Sequence, residues 1–249
     1  MNYFHKDFDH YRIHLYHYLN RILQKKIKLL ESAFSQMNYI FRKKNKIVKY
    51  IVIHYTGMKN LKLAYKKLLD NNSNVSTHYL ISRKGIIFNL LCPKYKAWHA
   101  GKSKWKNKIN INDYSIGIEL ENKGHDYGYS NFSKNQYDSL RKLILFLKKN
   151  FNIFDKNVVF HSDIAPNRKC DPGEKFMLNR IGINRFNINK RKDNYSLDEM
   201  LNLYGFHKSY VKKYKIFCIE AVKRSLNYDK INSLQSKKFL KDFYNLLFC

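Results

Sequence analysis

The sequence predicts an α/β protein, a mixed central β-sheet flanked by helices, with a helical extension at either end. Three observations predict it. Between Lys49 and His161, short runs rich in β-branched residues alternate with stretches of helical apolar spacing, the pattern of a layered sheet-and-helix domain. All three prolines and seven of the nine glycines fall between Gly57 and Gly173, where turns and functional loops need them. Residues 1–45 and 190–249 are almost free of both and carry apolar residues at helical steps. The expected division is an amphipathic helical extension at 1–30, a catalytic domain at 31–189 and a helical region at 190–249.

In the first segment Phe4, Phe8, Tyr11, Leu15, Tyr18 and Ile22 fall at steps of three and four, one face of a helix. Lys25, Lys26 and Lys28 follow it, so a membrane surface is one partner for that face; packing against protein is the favoured one. His10, His14 and His17 share the spacing, but no carboxylate or cysteine joins them at a ligand-like step. The opening residues lack the uninterrupted apolar stretch and cleavage site of a secretory leader, so the expected location is cytoplasmic, with export as the alternative.

Lys49–His54 is expected to form a buried strand, and residues 60–70 a helix carrying Leu61, Ala64, Tyr65, Leu68 and Leu69. Thr77–Ser82 and Gly85–Leu90 read as two strands joined by a turn at Arg83-Lys84. Ser115–Glu121 alternates, with Ile116, Ile118 and Leu120 on one side. Ser133 and Gln136 make a capping box for a helix to about Asn150, and Lys156–His161 is a further strand. Beyond residue 190, the run from Leu197 to Phe206 opens a helical segment that two more follow.

The net charge is +29, carried by 38 Lys and only 10 Arg. Such a balance invites nucleic acid as a partner. The basic residues are scattered rather than gathered in a stripe, and arginine, the better base reader, is scarce, so no specific nucleic-acid binding is expected. Cys92, Cys170, Cys218 and Cys249 show no CxxC pairing, which favours free thiols over a disulfide frame or a four-thiolate zinc site.

Three side chains suit a metal. His54 and His161 each close an expected hydrophobic strand, and Asp171 sits in the turn-forming run Arg168-Lys-Cys-Asp-Pro-Gly173. Two imidazoles at the ends of neighbouring strands and one loop carboxylate suffice for a catalytic zinc with a fourth position left to water. Each alone is equally what a polar residue closing a strand looks like. Glu119 projects opposite Ile116, Ile118 and Leu120; it is either a solvent-facing carboxylate or a general base beside the metal. Lys169 either stabilises an oxyanion or is one more surface lysine.

These residues lie in runs that resemble the zinc-dependent N-acetylmuramoyl-L-alanine amidases, the AmpD-like amidase-2 family related to the peptidoglycan recognition proteins. The runs are IVIHYTGM (51–58), VSTHYLIS (75–82), AWHAGKSKW (97–105), NDYSIGIELEN (112–122), GHDYGY (124–129) and HSDIAPNRKCDPGEKF (161–176). They fall in the family's order and cover about half the chain. The resemblance implies zinc held by His54, His161 and Asp171, water activated by Glu119, and an oxyanion stabilised by Lys169. It implies hydrolysis of the amide between N-acetylmuramic acid, or its 1,6-anhydro form, and L-alanine, with peptidoglycan or its fragments as partner. Non-catalytic recognition of muramyl peptide is the alternative.

Trp98 and His99 fall in a run resembling the cleft wall that contacts substrate, Arg168 and Asn112 are candidates for binding the peptide, and His78 reads as structural. The sequence departs from the family pattern at Phe176-Met177-Leu178, at Phe160 before His161, and at Cys170, which puts a thiol beside the metal. The Leu-Tyr-Gly-Phe start at 203–206 resembles a small three-helix peptidoglycan-binding module; a helical extension packed on the catalytic domain fits equally.

Overall fold

The computed structural model describes residues 39–43, 46–186, 195–228 and 237–248. The chain divides into two units, Met1–Met37 and Asn38–Cys249, and the described residues all belong to the second. The N-terminal helix expected at 1–30, its histidines and its proposed membrane contact fall outside the described residues. No described helix is long and apolar enough to cross a membrane.

Nine strands are described: β1 (Tyr39–Phe41), β2 (Tyr50–Tyr55), β3 (Tyr79–Ile81), β4 (Ile87–Asn89), β5 (Tyr95–Ala97), β6 (Lys104–Trp105), β7 (Lys108–Ile109), β8 (Ser115–Leu120) and β9 (Val158–Phe160). Five form the central sheet in the order β4-β3-β8-β2-β9. Strand β2 runs parallel to both β8 and β9, β3 runs parallel to β8, and only β4 is antiparallel. The sheet is therefore mixed and flanked by helices, as the sequence predicts. β2 and β8 are buried over almost their whole length because both faces of the sheet are covered, which is why they read as near-continuous apolar runs.

One face packs on α2 (Lys134–Phe151), following α1 (Leu61–Leu69) in the chain. The expected capping box is present: Ser133 accepts from the Gln136 amide while Gln136 accepts from the Ser133 amide. The helix stops at Asn152, which adopts the left-handed conformation usual past a helix end. Its buried stripe, Leu140, Leu143, Ile144 and Leu147, meets Ile51, Ile53, Ile116 and Ile118. Burying each such side chain contributes about 1.5–3 kcal/mol.

The opposite face carries Tyr50, Val52 and Val159, which share a cluster with residues of α4 (Leu197–Tyr204), α5 (Lys208–Ser225) and α6 (Lys237–Phe248). Among the described residues, three helices follow residue 190. Gly205, just past α4, lies against Trp105, whose indole a Cβ there would strike. The preceding short helix α3 (His161–Ile164) corrects one expectation, because His161 opens a helix instead of closing a strand. The reason is Asp163, whose carboxylate accepts the Phe160 amide at 2.8 Å and turns the chain at that point. Strands β1, β5, β6 and β7 were not expected; they are two or three residues long, too short for a periodic signal.

Candidate metal centre

Alternation along three parallel strands builds the site. In β2 the row Tyr50, Val52, His54 faces away from α2, and in β8 the row Ser115, Gly117, Glu119 does the same. His54 is the register partner of Glu119 on one side. On the other, Ile53 pairs with Phe160, so His161 emerges one residue further along, level with His54. Asp171 returns from the following loop, its carbonyl accepting the Ser162 amide at 3.0 Å.

The three donors meet. His54 Nδ1 lies 2.9 Å from His161 Nδ1, and Asp171 Oδ2 lies 3.1 Å from each. All three residues are buried, at 1, 4 and 6 % exposure. Among the described residues they form the one His/Cys/Asp/Glu group able to hold a metal ion. The donor chemistry fits such an ion. His161 Nε2 lies 3.2 Å from the Ala100 carbonyl, which can only accept, so Nε2 carries the proton and Nδ1 presents a lone pair. An ionised Asp171 adds only lone pairs. A tetrahedral ion with ligands at about 2.0–2.1 Å sets its donors roughly 3.3 Å apart, so shifts of a few tenths of an ångström complete the geometry. Burial and the neighbouring His161 press His54 down to about 4, which favours the neutral imidazole a metal needs. Asp171 is held below the usual carboxylate range: burial works against this, and the closeness of His161 and His54 prevails.

Glu119 stands beside the donors. Its Oε2 is shielded from solvent and has no hydrogen-bond partner among the described residues. An acceptor left unmet in such a place is what a bound water or a reacting proton would satisfy. Burial and the charge of Asp171 push the Glu119 carboxyl well above its ordinary value, while Lys169 pulls the other way.

A cleft of about 420 Å³ opens at this site. Trp98, His99, Asn112, Arg168 and Lys169, all singled out in the sequence, line it together with the donor His161. Lys169 is exposed there. Asn112 and Arg168 also hold the wall itself. Asn112 Oδ1 accepts the amides of His99 and Ala100 at 3.2 and 2.8 Å. The Arg168 guanidinium donates to the carbonyls of Ala100 and Lys102. His99 is 92 % buried, with its ring behind His54 at 2.9 Å. His78 is fully buried and ties β8 to β5, accepting the Gly117 amide and meeting the Tyr95 carbonyl.

Sequence reasoning missed a second cluster on the rim. Cys170 Sγ lies 3.3 Å from Tyr55 OH and 3.5 Å from His125 Nδ1, and His125 Nε2 lies 3.1 Å from Glu174. Burial would raise the Cys170 thiol, but its hydrogen bonds with His125 and Tyr55 outweigh that and bring it below the ordinary value. Ser115 was missed too, although it shares the strand parity of Glu119 and so could have been placed on the site face.

An α/β sheet with three donors able to hold a metal, gathered at the carboxyl ends of its parallel strands, defines the class of protein. The family profile for N-acetylmuramoyl-L-alanine amidase matches residues 43–174, and the chain belongs to that family. It is 38 % identical over 141 residues to N-acetylmuramoyl-L-alanine amidase AmiD of Escherichia coli, across 52 % of this chain and 50 % of that protein. The chain spans about half the length of the curated relatives it matches. A structure of Escherichia coli AmiD with anhydro-N-acetylmuramic acid-L-Ala-D-gamma-Glu-L-Lys superimposes with a TM-score of 0.61 at 30 % identity, covering 74 % of this chain and 82 % of that one. AmpDh3 of Pseudomonas aeruginosa, in complex with anhydromuramic pentapeptide, gives 0.66 at 27 % identity, with 82 and 94 % covered.

Proposed function

We propose that the protein hydrolyses the amide between N-acetylmuramic acid, in particular its 1,6-anhydro form, and the L-alanine of the stem peptide, with zinc held by His54, His161 and Asp171. The observation that carries this reading is the buried triangle of lone-pair donors beside a carboxylate oxygen without a partner. Two nitrogens and one carboxylate oxygen are a zinc set with one position left over. The ligands bound to AmiD and AmpDh3 support the anhydro-muramyl peptide as substrate.

Zinc in this place supplies a Lewis acid for the scissile carbonyl and makes water a stronger acid. Glu119 takes the proton from the attacking water through Oε2 and delivers it to the departing L-alanine amine, so that it ends the cycle ionised as it began. Lys169 lends its ammonium to the oxyanion of the tetrahedral intermediate. Trp98 and the loop held by Asn112 and Arg168 form the wall along which the peptide lies. The basic surface draws in a substrate that carries several carboxylates.

The test is incubation with a defined 1,6-anhydro-muramyl peptide and mass spectrometry of the products. Release of a peptide beginning with L-alanine, abolished by chelator and restored by zinc, is expected. Binding without release would replace the enzyme by a recognition module, and neither would remove muramyl peptide as the partner. Intact sacculi in a parallel sample separate fragment from polymer as substrate.

A further inference from the structure

We infer that His99 is a positioning residue for the metal: through a directed chain of hydrogen bonds it holds His54 in the tautomer whose Nδ1 is bare. The inference rests on the metal reading above and assigns His99 a task beyond lining the cleft.

The direction of the chain follows from its far end. The Ile111 carbonyl can only accept, so Ser115 Oγ, 2.7 Å away, commits its single proton there. That hydroxyl lies 3.1 Å from His99 Nε2 and is left to accept, which places the His99 proton on Nε2. A neutral imidazole has one N–H, so His99 Nδ1 is an acceptor. His54 Nε2, 2.9 Å from it, must therefore donate. With its only proton on Nε2, His54 turns a bare Nδ1 toward His161 Nδ1 and Asp171 Oδ2. A carbonyl of the Ile111 turn thus dictates the protonation pattern of a metal ligand two side chains away.

The chain also makes room for this arrangement. Gly117 lies on β8 between Ser115 and Glu119, and a Cβ there would come within 2.5 Å of the His99 ring. The backbone of His99 is fixed by Asn112, as is that of Ala100, whose carbonyl takes the Nε2–H of the second ligand. Residues 99–100 therefore orient both imidazoles from behind. Partners of this kind set the orientation and basicity of metal-bound histidines.

The experiment measures zinc affinity of the full chain by chelator competition, and the histidine tautomers of the metal-free protein by long-range ¹H–¹⁵N NMR at pH 8. His99→Leu, which keeps bulk and removes the acceptor, is expected to weaken zinc binding about 10–100-fold. His99→Asn, whose Oδ1 can stand in for Nδ1, is expected to restore most of it. Ser115→Ala should weaken binding less than His99→Leu and mix the His54 tautomers. A folded His99→Leu protein with wild-type zinc affinity overturns the proposal, as does a wild-type His54 protonated on Nδ1. Should His99→Leu fail to fold, Ser115→Ala and the wild-type spectra decide alone. Should the wild type bind no zinc, the metal reading falls, while the tautomer measurement still judges the relay.

Discussion

The two faces of the five-stranded sheet arise from the same strands by the same alternation, and they differ in one respect. Toward α2 the rows are apolar from end to end: Ile51 and Ile53, Ile116 and Ile118, Tyr79 and Ile81. Toward α4–α6 the rows are apolar only over Tyr50, Val52 and Val159, and then continue as His54, Glu119 and His161 at the carboxyl ends of the strands. The first face anchors the strands, and the second spends part of its area on donors that burial makes costly to leave unpaired. The contrast teaches that the site is tied to the C-terminal helices more closely than to α2. Asp163, two residues after His161, forms a buried ion pair with Arg185 at 2.6 Å and accepts from Tyr204 of α4 at 2.9 Å.

The sharpest test of this contrast is Glu119→Gln. It should lower turnover by about 10²–10⁴ while leaving the melting temperature close to wild type, because it removes a base and keeps the shape. Measuring both on one preparation separates chemistry from folding.

Asp163→Ala comes next. It strands a buried guanidinium and should cost about 3–5 kcal/mol in urea unfolding. Zinc affinity should fall with it, since α3 begins at His161. Ile144→Ala, on the other face, should cost about 2–5 kcal/mol through the cavity it leaves, with zinc affinity unchanged in the folded protein. A parallel loss of affinity there would show that the two faces are not separable. The smallest effect is expected from Tyr204→Phe. It removes one hydrogen bond to Asp163 and one contact with Ser225 and should cost about 1 kcal/mol.

Much of this was legible in the residues. The alternation of Ser115–Leu120 already placed Glu119 opposite the isoleucines, and Ser133 with Gln136 marked the start of α2 to the residue. Both are local signals, written within four to six positions of chain. Strand order was not legible, because β8 lies between β3 and β2 although it follows both in the chain. Nor was the second task of Arg168 and Asn112. Each side chain looks available for substrate until the carbonyls and amides of residues 99–102 are found within its reach.

The sequence by itself determined the fold class, the capped start of α2 and which residue types carry the chemistry, because periodicity and capping depend on near neighbours. Only the tertiary structure decided what stands behind those residues. His54 and His161 are 107 positions apart, yet their nitrogens come to 2.9 Å, and His99 reaches His54 across 45. Contacts of that span are set by how β2, β8 and β9 align in the sheet. The proton pattern on an imidazole is set in turn by which acceptor that alignment brings to its far nitrogen.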